Sequence, residues 1–256
     1  MPIAILIENR RIGRYSSDYS ACFSELACII ESLVAFYRQE GDMSLNLISN
    51  LACFRTRVSF ARFLRMRLVA SMTLIAAFLG NAASYADYEQ GVNAAFDGDY
   101  ATAYREFSIA AKEGLALAQY NLGILYFTGR GVERDAEEAY RWTSAAAEQG
   151  HVAAQFNLAT LLMTGEGVTK DASMAVDWYS RAAKAGHPEA ASELATLFFD
   201  GREVERDRVV AHAWASYAVA NKAEGADALL ARIERKLDTA ELSAARRLFA
   251  QWQIAP

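Results

Sequence analysis

Apolar and small residues return along the second half of the chain at a fixed interval, and within each interval they follow a helical period. Shifting the sequence on itself by 36 positions superposes Gly114, Gly150 and Gly186, then Leu122, Leu158 and Leu194, then Gly129, Gly165 and Gly201. Val132, Val168 and Val204 coincide as well, followed by Asp135, Asp171 and Asp207, by Ala139, Ala175 and Ala211, and by Trp142, Trp178 and Trp214. A period of this length specifies a stacked array, in which no unit buries its apolar face alone.

Each unit reads as two helices. In the stretch 116–127, Ala118, Leu122 and Tyr126 fall at i, i+4 and i+8, which is one helical face. The following segment, Thr128 to Val132, contains Gly129 and Gly131, residues suited to the positive φ angles of a chain reversal. Asp135 is placed to cap a second helix, and Glu138 three residues on predicts a capping box; the later units keep Asp171 and Asp207 but carry Met174 and Val210 at that later position. Ala139, Trp142 and Ala146 share a face of the second helix, so a large indole sits among small residues where helices approach closely. Gly150 is the expected C-terminal cap.

The pattern divides the chain into an N-terminal extension (1–65), a targeting segment (66–86), a shorter helix pair that begins the stack (87–113), three units (114–149, 150–185 and 186–222) and terminal helices (223–256). In the opening pair the guiding positions are Gly91, Gly98, Asp99, Tyr100, Ala103 and Phe107. At the other end, Leu229, Leu230, Ile233 and Leu237 predict one amphipathic helix. Asp238 and Glu241 predict the cap of a last helix bearing Leu242, Ala245, Leu248, Phe249 and Trp252. Two such helices would cover the apolar end of the stack.

Charge changes the picture by its division. Residues 1–86 carry nine Arg and six acids, whereas residues 87–256 carry 17 Lys and Arg against 25 acids. An acidic body without a basic stripe lacks what phosphate neutralisation needs, which argues against nucleic acid as a partner. Cys22, Cys28 and Cys53 all lie in the extension, so the repeats form no disulfide. From Met66 a basic start (Arg62, Arg65, Arg67) leads to an apolar stretch from Leu68 to Gly80 and then to Ser84, Tyr85 and Ala86. This is the three-part pattern of a secretory signal, its apolar stretch better suited to cleavage than to permanent spanning, with cleavage expected after Ala86 and the repeats delivered to the periplasm or the exterior. Either Met66 is the initiator and residues 1–65 precede the true start, or they form a cytoplasmic extension ahead of a signal anchor.

Candidate chemistry is sparse. His151 and His187 each follow a unit's glycine and read as helix starts, with His212 elsewhere on a second helix, so no metal site is expected. The Gly-x-Gly pieces at Gly129 and Gly165 join helix to helix without a preceding strand or a following Lys-Ser/Thr, and read as turns. Glu137 with Glu138, and Glu203 with Glu205, lie at loops and helix starts where acids favour the dipole, and no nucleophile or base accompanies them. No catalytic residue and no cofactor are expected.

The spacing from Leu122-Gly123 to Tyr126, then Gly129 to Val132, Asp135, Ala139, Trp142, Ala146-Ala147 and Gly150, resembles the Sel1-like repeat, a relative of the tetratricopeptide repeat. The later units depart from it, with Ala159 and Leu162 in the second and Ala195, Phe198, Glu203 and Lys222 in the third. The resemblance implies an all-α, right-handed solenoid of Sel1-like helix pairs and a non-enzymatic scaffold of the cell envelope, with a protein or peptide held on the concave face. Family members linked to β-lactams are cysteine-rich, and this array has no cysteine. On the concave face the expected exposed columns are Tyr120, Phe156 and Ser192; Ile124, Thr160 and Thr196; and Phe127, Met163 and Phe199. The alternative reading is a cell-wall-acting enzyme, or an accessory subunit of one.

Overall fold

A computed structural model describes residues 85–254, all within the unit Thr73–Pro256. The extension 1–65, its cysteines and nearly all of the targeting segment lie outside the described residues. Ten helices follow in order: α1 (85–96), α2 (Tyr100–Lys112), α3 (Ala116–Thr128), α4 (Ala136–Glu148), α5 (Val152–Thr164), α6 (Ala172–Lys184), α7 (Pro188–Asp200), α8 (Arg208–Ala220), α9 (Ala226–Glu234) and α10 (Thr239–Ile254). No strand occurs among the described residues. Seven consecutive helices, α2 to α8, have 13 residues each, so equal rods stack side by side. Within a unit α3 pairs with α4, α5 with α6 and α7 with α8. Between units α2 meets α3, α4 meets α5 and α6 meets α7, while α9 and α10 pack on α8.

Equal lengths follow from equal punctuation. Each second helix opens on an aspartate whose carboxylate accepts from free N–H groups of the first turn: Asp99 from Thr102, Asp135 from Glu137 and Glu138, Asp171 from Met174 and Asp207 from Val210, at 2.9–3.1 Å. Such a cap stabilises by about 1 kcal/mol. The capping box expected at Asp135 is not formed. The Asp135 N–H donates to the Tyr126 carbonyl at 3.0 Å, and Glu138 turns along its helix to accept from Arg141 and from the Trp142 indole N–H at 3.0 Å. The reciprocal box forms instead at the start of α10, where the Asp238 N–H donates to Glu241 and the Asp238 carboxylate accepts from the Glu241 N–H.

The first helices end on a left-handed glycine, Gly129, Gly165 or Gly201, and each loop is closed by the following aspartate's N–H donating to the last turn. The second helices end on a paired reversal. Gly150 and His151 donate to the Ala147 and Ala146 carbonyls, and Gly186 and His187 to those of Ala183 and Ala182. The third unit keeps this geometry without a glycine: Lys222 stands at φ 59°, and the N–H groups of Lys222 and Ala223 make the same two bonds. The left-handed conformation costs a residue with a Cβ roughly 1–2 kcal/mol, which this end of the stack tolerates.

The units touch through small residues. Ala103, Ala139, Ala175 and Ala211 are fully buried at equivalent positions, and Leu122, Leu158 and Leu194 are the large side chains between them. Gly123 leaves no room for a Cβ, which would lie 2.7 Å from the Thr143 hydroxyl. The recurring indoles occupy junctions: Trp142 is buried in the N-terminal core cluster, Trp178 is half-buried against both the middle and C-terminal clusters, and Trp214 is buried and meets Trp252 of α10 at 4.5 Å. With Ile233 of α9 fully buried in the same cluster, the two terminal helices cover the apolar end of the third unit.

The second loop glycines lock one unit onto the previous one. A Cβ on Gly131 would stand 2.0 Å from the Tyr100 carbonyl oxygen, and one on Gly167 would stand 1.9 Å from that of Ala136, each at the start of the preceding second helix. The third unit replaces this contact with an ion pair, Lys170 to Glu203 at 2.7 Å. Gly150 has the same kind of φ but open space around it. Gly150→Ala is therefore expected to cost only the left-handed penalty, roughly 1–2 kcal/mol. Gly167→Ala adds a backbone collision and costs clearly more, by comparison of urea midpoints; equal losses in the two variants would contradict the interlocking.

Candidate partner-binding face on the first helices

The nine side chains expected in exposed columns are less accessible than the pattern suggests. Tyr120 is buried, at 6% exposure, and Ile124, Phe127, Phe156, Thr160, Met163, Ser192, Thr196 and Phe199 are half-buried. The physical reason is that neighbouring helices, of the same unit or the next, use these side chains. The Tyr120 ring stacks on the His151 imidazole with centroids 4.5 Å apart, and the Phe156 ring stacks on that of His187 at 4.3 Å and 9°. Thr160 bonds the Tyr179 hydroxyl at 2.9 Å, and Thr160 and Thr196 donate back to the carbonyls of Phe156 and Ser192. Arg134 lies over the Phe127 ring at 5.7 Å and Arg232 over the Phe199 ring at 5.1 Å.

The accessible stripe runs one column to the side. On α7 it comprises Glu189, Glu193, Thr196 and Asp200, spaced i, i+4, i+7 and i+11 on one face. The equivalent residues on α5 are Ala153, Asn157, Thr160 and Thr164, and on α3 Leu117, Asn121, Ile124 and Thr128. Exposure grows along the stack: Asn121 is buried, donating to Leu117 O and to the Tyr88 hydroxyl of α1, Asn157 is half-buried, and Glu193 is exposed. Only Ile124, Thr160 and Thr196 belong to both the expected columns and this stripe. The expected columns leave out Asn157, Glu193 and Asp200, which the helical spacing from Ile124, carried down the repeats, also reaches.

His151 and His187 stand at helix starts, as the repeat predicts. His151 is the N-cap of α5, and its Nδ1 accepts from the Ala154 N–H at 3.2 Å. His187 precedes α7 with Nδ1 3.3 Å from a Glu189 carboxylate oxygen. His212 is buried on α8, with Nε2 3.2 Å from Glu234 of α9 and Nδ1 3.4 Å from Ser216. Among the described residues no group of three His, Cys, Asp or Glu side chains is placed to hold a metal, and no helix is long and apolar enough to cross a membrane.

Burial pushes the His151 imidazole below its ordinary 6.5. Its cap requires the neutral ring, because a protonated Nδ1 cannot accept from Ala154. The folded-state pKa thus lies below the unfolded one, so the contribution to stability is full above about pH 6.5 and is lost as pH falls through the folded value. His151→Asn keeps a capping acceptor and removes the titration. Between pH 6.5 and 5 the variant is expected to lose less stability than the wild type, the difference in slope being at most about 1.4 kcal/mol per pH unit. Parallel stability curves from urea melts would contradict this assignment.

Comparison with known proteins agrees with this geometry. The Sel1 repeat family matches residues 116–151, 152–187 and 188–221, each match running from the start of a first helix to the turn after the second. Among solved structures, a protective antigen of uropathogenic Escherichia coli strains described as displaying an SLR fold superposes with a TM-score of 0.57 and 30% identity, covering 66% of this chain and 38% of that one. A Sel1 repeat protein from Oxalobacter formigenes superposes with a TM-score of 0.52 and 31% identity, covering 56% of this chain and 59% of that one. The chain spans less than two thirds of either. A search of curated proteins finds no match. Sel1 repeats generally mediate protein–protein interaction, and the proteins that carry them are typically non-catalytic scaffolds. Residues 116–221 are thus three consecutive Sel1 repeats within one stack of helix pairs.

Proposed function

We propose that the chain is an extracytoplasmic adaptor that holds a protein or peptide partner on the face formed by its first helices. The observation that carries this reading is the run of half-buried apolar and neutral side chains that recurs unit after unit on α3, α5 and α7, within a fold whose repeats serve protein interaction. Half-buried Ile124, Met163 and Phe199 retain apolar surface for a ligand to cover, and their neighbours supply hydrogen-bonding groups at the rim. The extracytoplasmic location rests on the basic, apolar and small-residue segments of residues 66–86. The structure has one bearing on processing: Tyr88, two residues past the expected cleavage point, is buried and packs on Phe107, so a mature chain starting at Asp87 keeps this anchor of α1.

The test is capture of partners from envelope extract by the mature protein, beside the Phe127→Ala/Phe199→Ala double variant and an Asn157→Arg variant that places bulk and charge on the stripe. One specific protein is expected with the wild type and lost at least about tenfold with either variant, while circular dichroism shows both still helical. Undiminished capture by both folded variants would remove this face from the function.

A further inference from the structure

The recurring indoles are completed differently in each unit. In the first, Glu138 accepts from the Trp142 N–H at 3.0 Å and from the Arg141 guanidinium at 2.6 and 3.0 Å, and that guanidinium lies 4.2 Å from the centre of the same indole. In the third, Trp214 is buried and met by Trp252 of α10. The second unit has neither arrangement. Met174 stands in the place of Glu138 and, at 45% exposure, is the one large apolar side chain of the three repeats that is exposed among the described residues. Trp178 is half-buried, and its N–H meets no acceptor among the described residues. A guanidinium still stacks on the ring, now that of Arg181 from the next turn, at 4.5 Å.

A neighbouring hydroxyl lacks its partner for the same reason. Tyr104 bonds the Tyr126 hydroxyl at 3.0 Å, whereas one repeat later Tyr140 keeps the hydroxyl, Leu162 replaces Tyr126, and Tyr140 has no hydrogen-bond partner among the described residues. Tyr140 of α4 and Trp178 of α6 pack on the core cluster that contains buried Leu162, so both border the junction of these two helices. The nearest acid on α6, Asp177, stands about 100° round the helix from Trp178 and opposite buried Ala175, off that junction. It makes no ion pair among the described residues. An indole N–H and a guanidinium can only donate, and a phenol can donate as well. What all three lack is an acceptor, and the first unit shows a carboxylate filling that role between indole and guanidinium.

We propose that the junction of α4 and α6 in the second unit is a docking point for an acidic side chain of a partner, flanked by an apolar one. The carboxylate accepts from the Trp178 N–H and the Arg181 guanidinium with the Tyr140 hydroxyl beside it, and the apolar neighbour covers Met174. This surface lies on second helices, apart from the first-helix face, and does not depend on the adaptor reading of that face. Charge-assisted bonds favour the carboxylate over a neutral acceptor. The flexible thioether of Met174 adapts to apolar side chains of different shape. A lysine in the same place meets a guanidinium and groups that donate, which gives the junction selectivity as well as affinity.

The probes are short blocked peptides with Glu, Gln or Lys between leucines, titrated into the isotope-labelled full chain while the indole N–H resonances are followed. The Trp178 signal is the one missing from Trp178→Phe. The Glu peptide is expected to move it, the Gln peptide to bind at least about fivefold more weakly, and the Lys peptide to leave it in place. Met174→Glu supplies the carboxylate from within the chain. In that variant the Trp178 N–H is expected to exchange more slowly with water and to stop responding to the Glu peptide. Phe127→Ala/Phe199→Ala, which alters the other face, is expected to keep the full response. An unmoved Trp178 signal with the Glu peptide, equal binding of the Glu and Gln peptides, a response to the Lys peptide, an unchanged response in Met174→Glu, or a response lost in Phe127→Ala/Phe199→Ala would each overturn the proposal.

Discussion

Close approach between neighbouring helices is the constraint on which the rest of this structure depends. The second loop glycine of one unit sits against the first carbonyl of the preceding second helix with no space for a single added carbon. Rows of fully buried alanines extend that intimacy along the helices. A 13-residue helix with a narrow apolar face is marginal alone, and what stabilises each one here lies mostly on the helices before and after it. Buried Leu158 belongs to a cluster that takes Tyr120, Ala146 and Ala147 from the preceding unit, so no boundary between units is free of shared contacts.

The same constraint positions the accessible face. Because each first helix is followed by a capped, equal-length second helix, successive first helices present the same residue positions. The aromatic column at Tyr120 and Phe156 is turned into the junction by the histidine that opens the next unit. The neighbouring column opens only along the stack, from buried Asn121 through half-buried Asn157 to exposed Glu193, which the third unit substitutes for the asparagines of the first two. Divergence between repeats that leaves the stacking intact is then free to differentiate the surface. His151 couples the two roles, since one imidazole both caps α5 and covers Tyr120.

Local signals made most of the fold legible in the sequence. The period of 36, the aspartates at the second-helix starts, the glycines at the ends and the two terminal helices are all written in residues close to the feature they specify. What was not legible depends on partners distant in sequence or on competition between bonds. Glu138 is an ordinary capping-box residue by spacing, yet Arg141 and the Trp142 indole one turn on offer it better donors. Lys222 breaks the glycine rule, and the reversal still forms with the same two backbone bonds as the glycine turns. The aromatic columns read as exposed because the histidine rings that cover them lie 31 positions later.

Amide hydrogen exchange on Leu158→Ala tests the sharing of stability between units most directly. Truncating this fully buried side chain is expected to remove about 2–5 kcal/mol. If each unit stands only through its neighbours, the slowest amides of α4, in the preceding unit, lose protection together with those of α5 and α6. Wild-type protection in α4 beside a destabilised α5 and α6 would show that the units are stable by themselves, and would contradict the account.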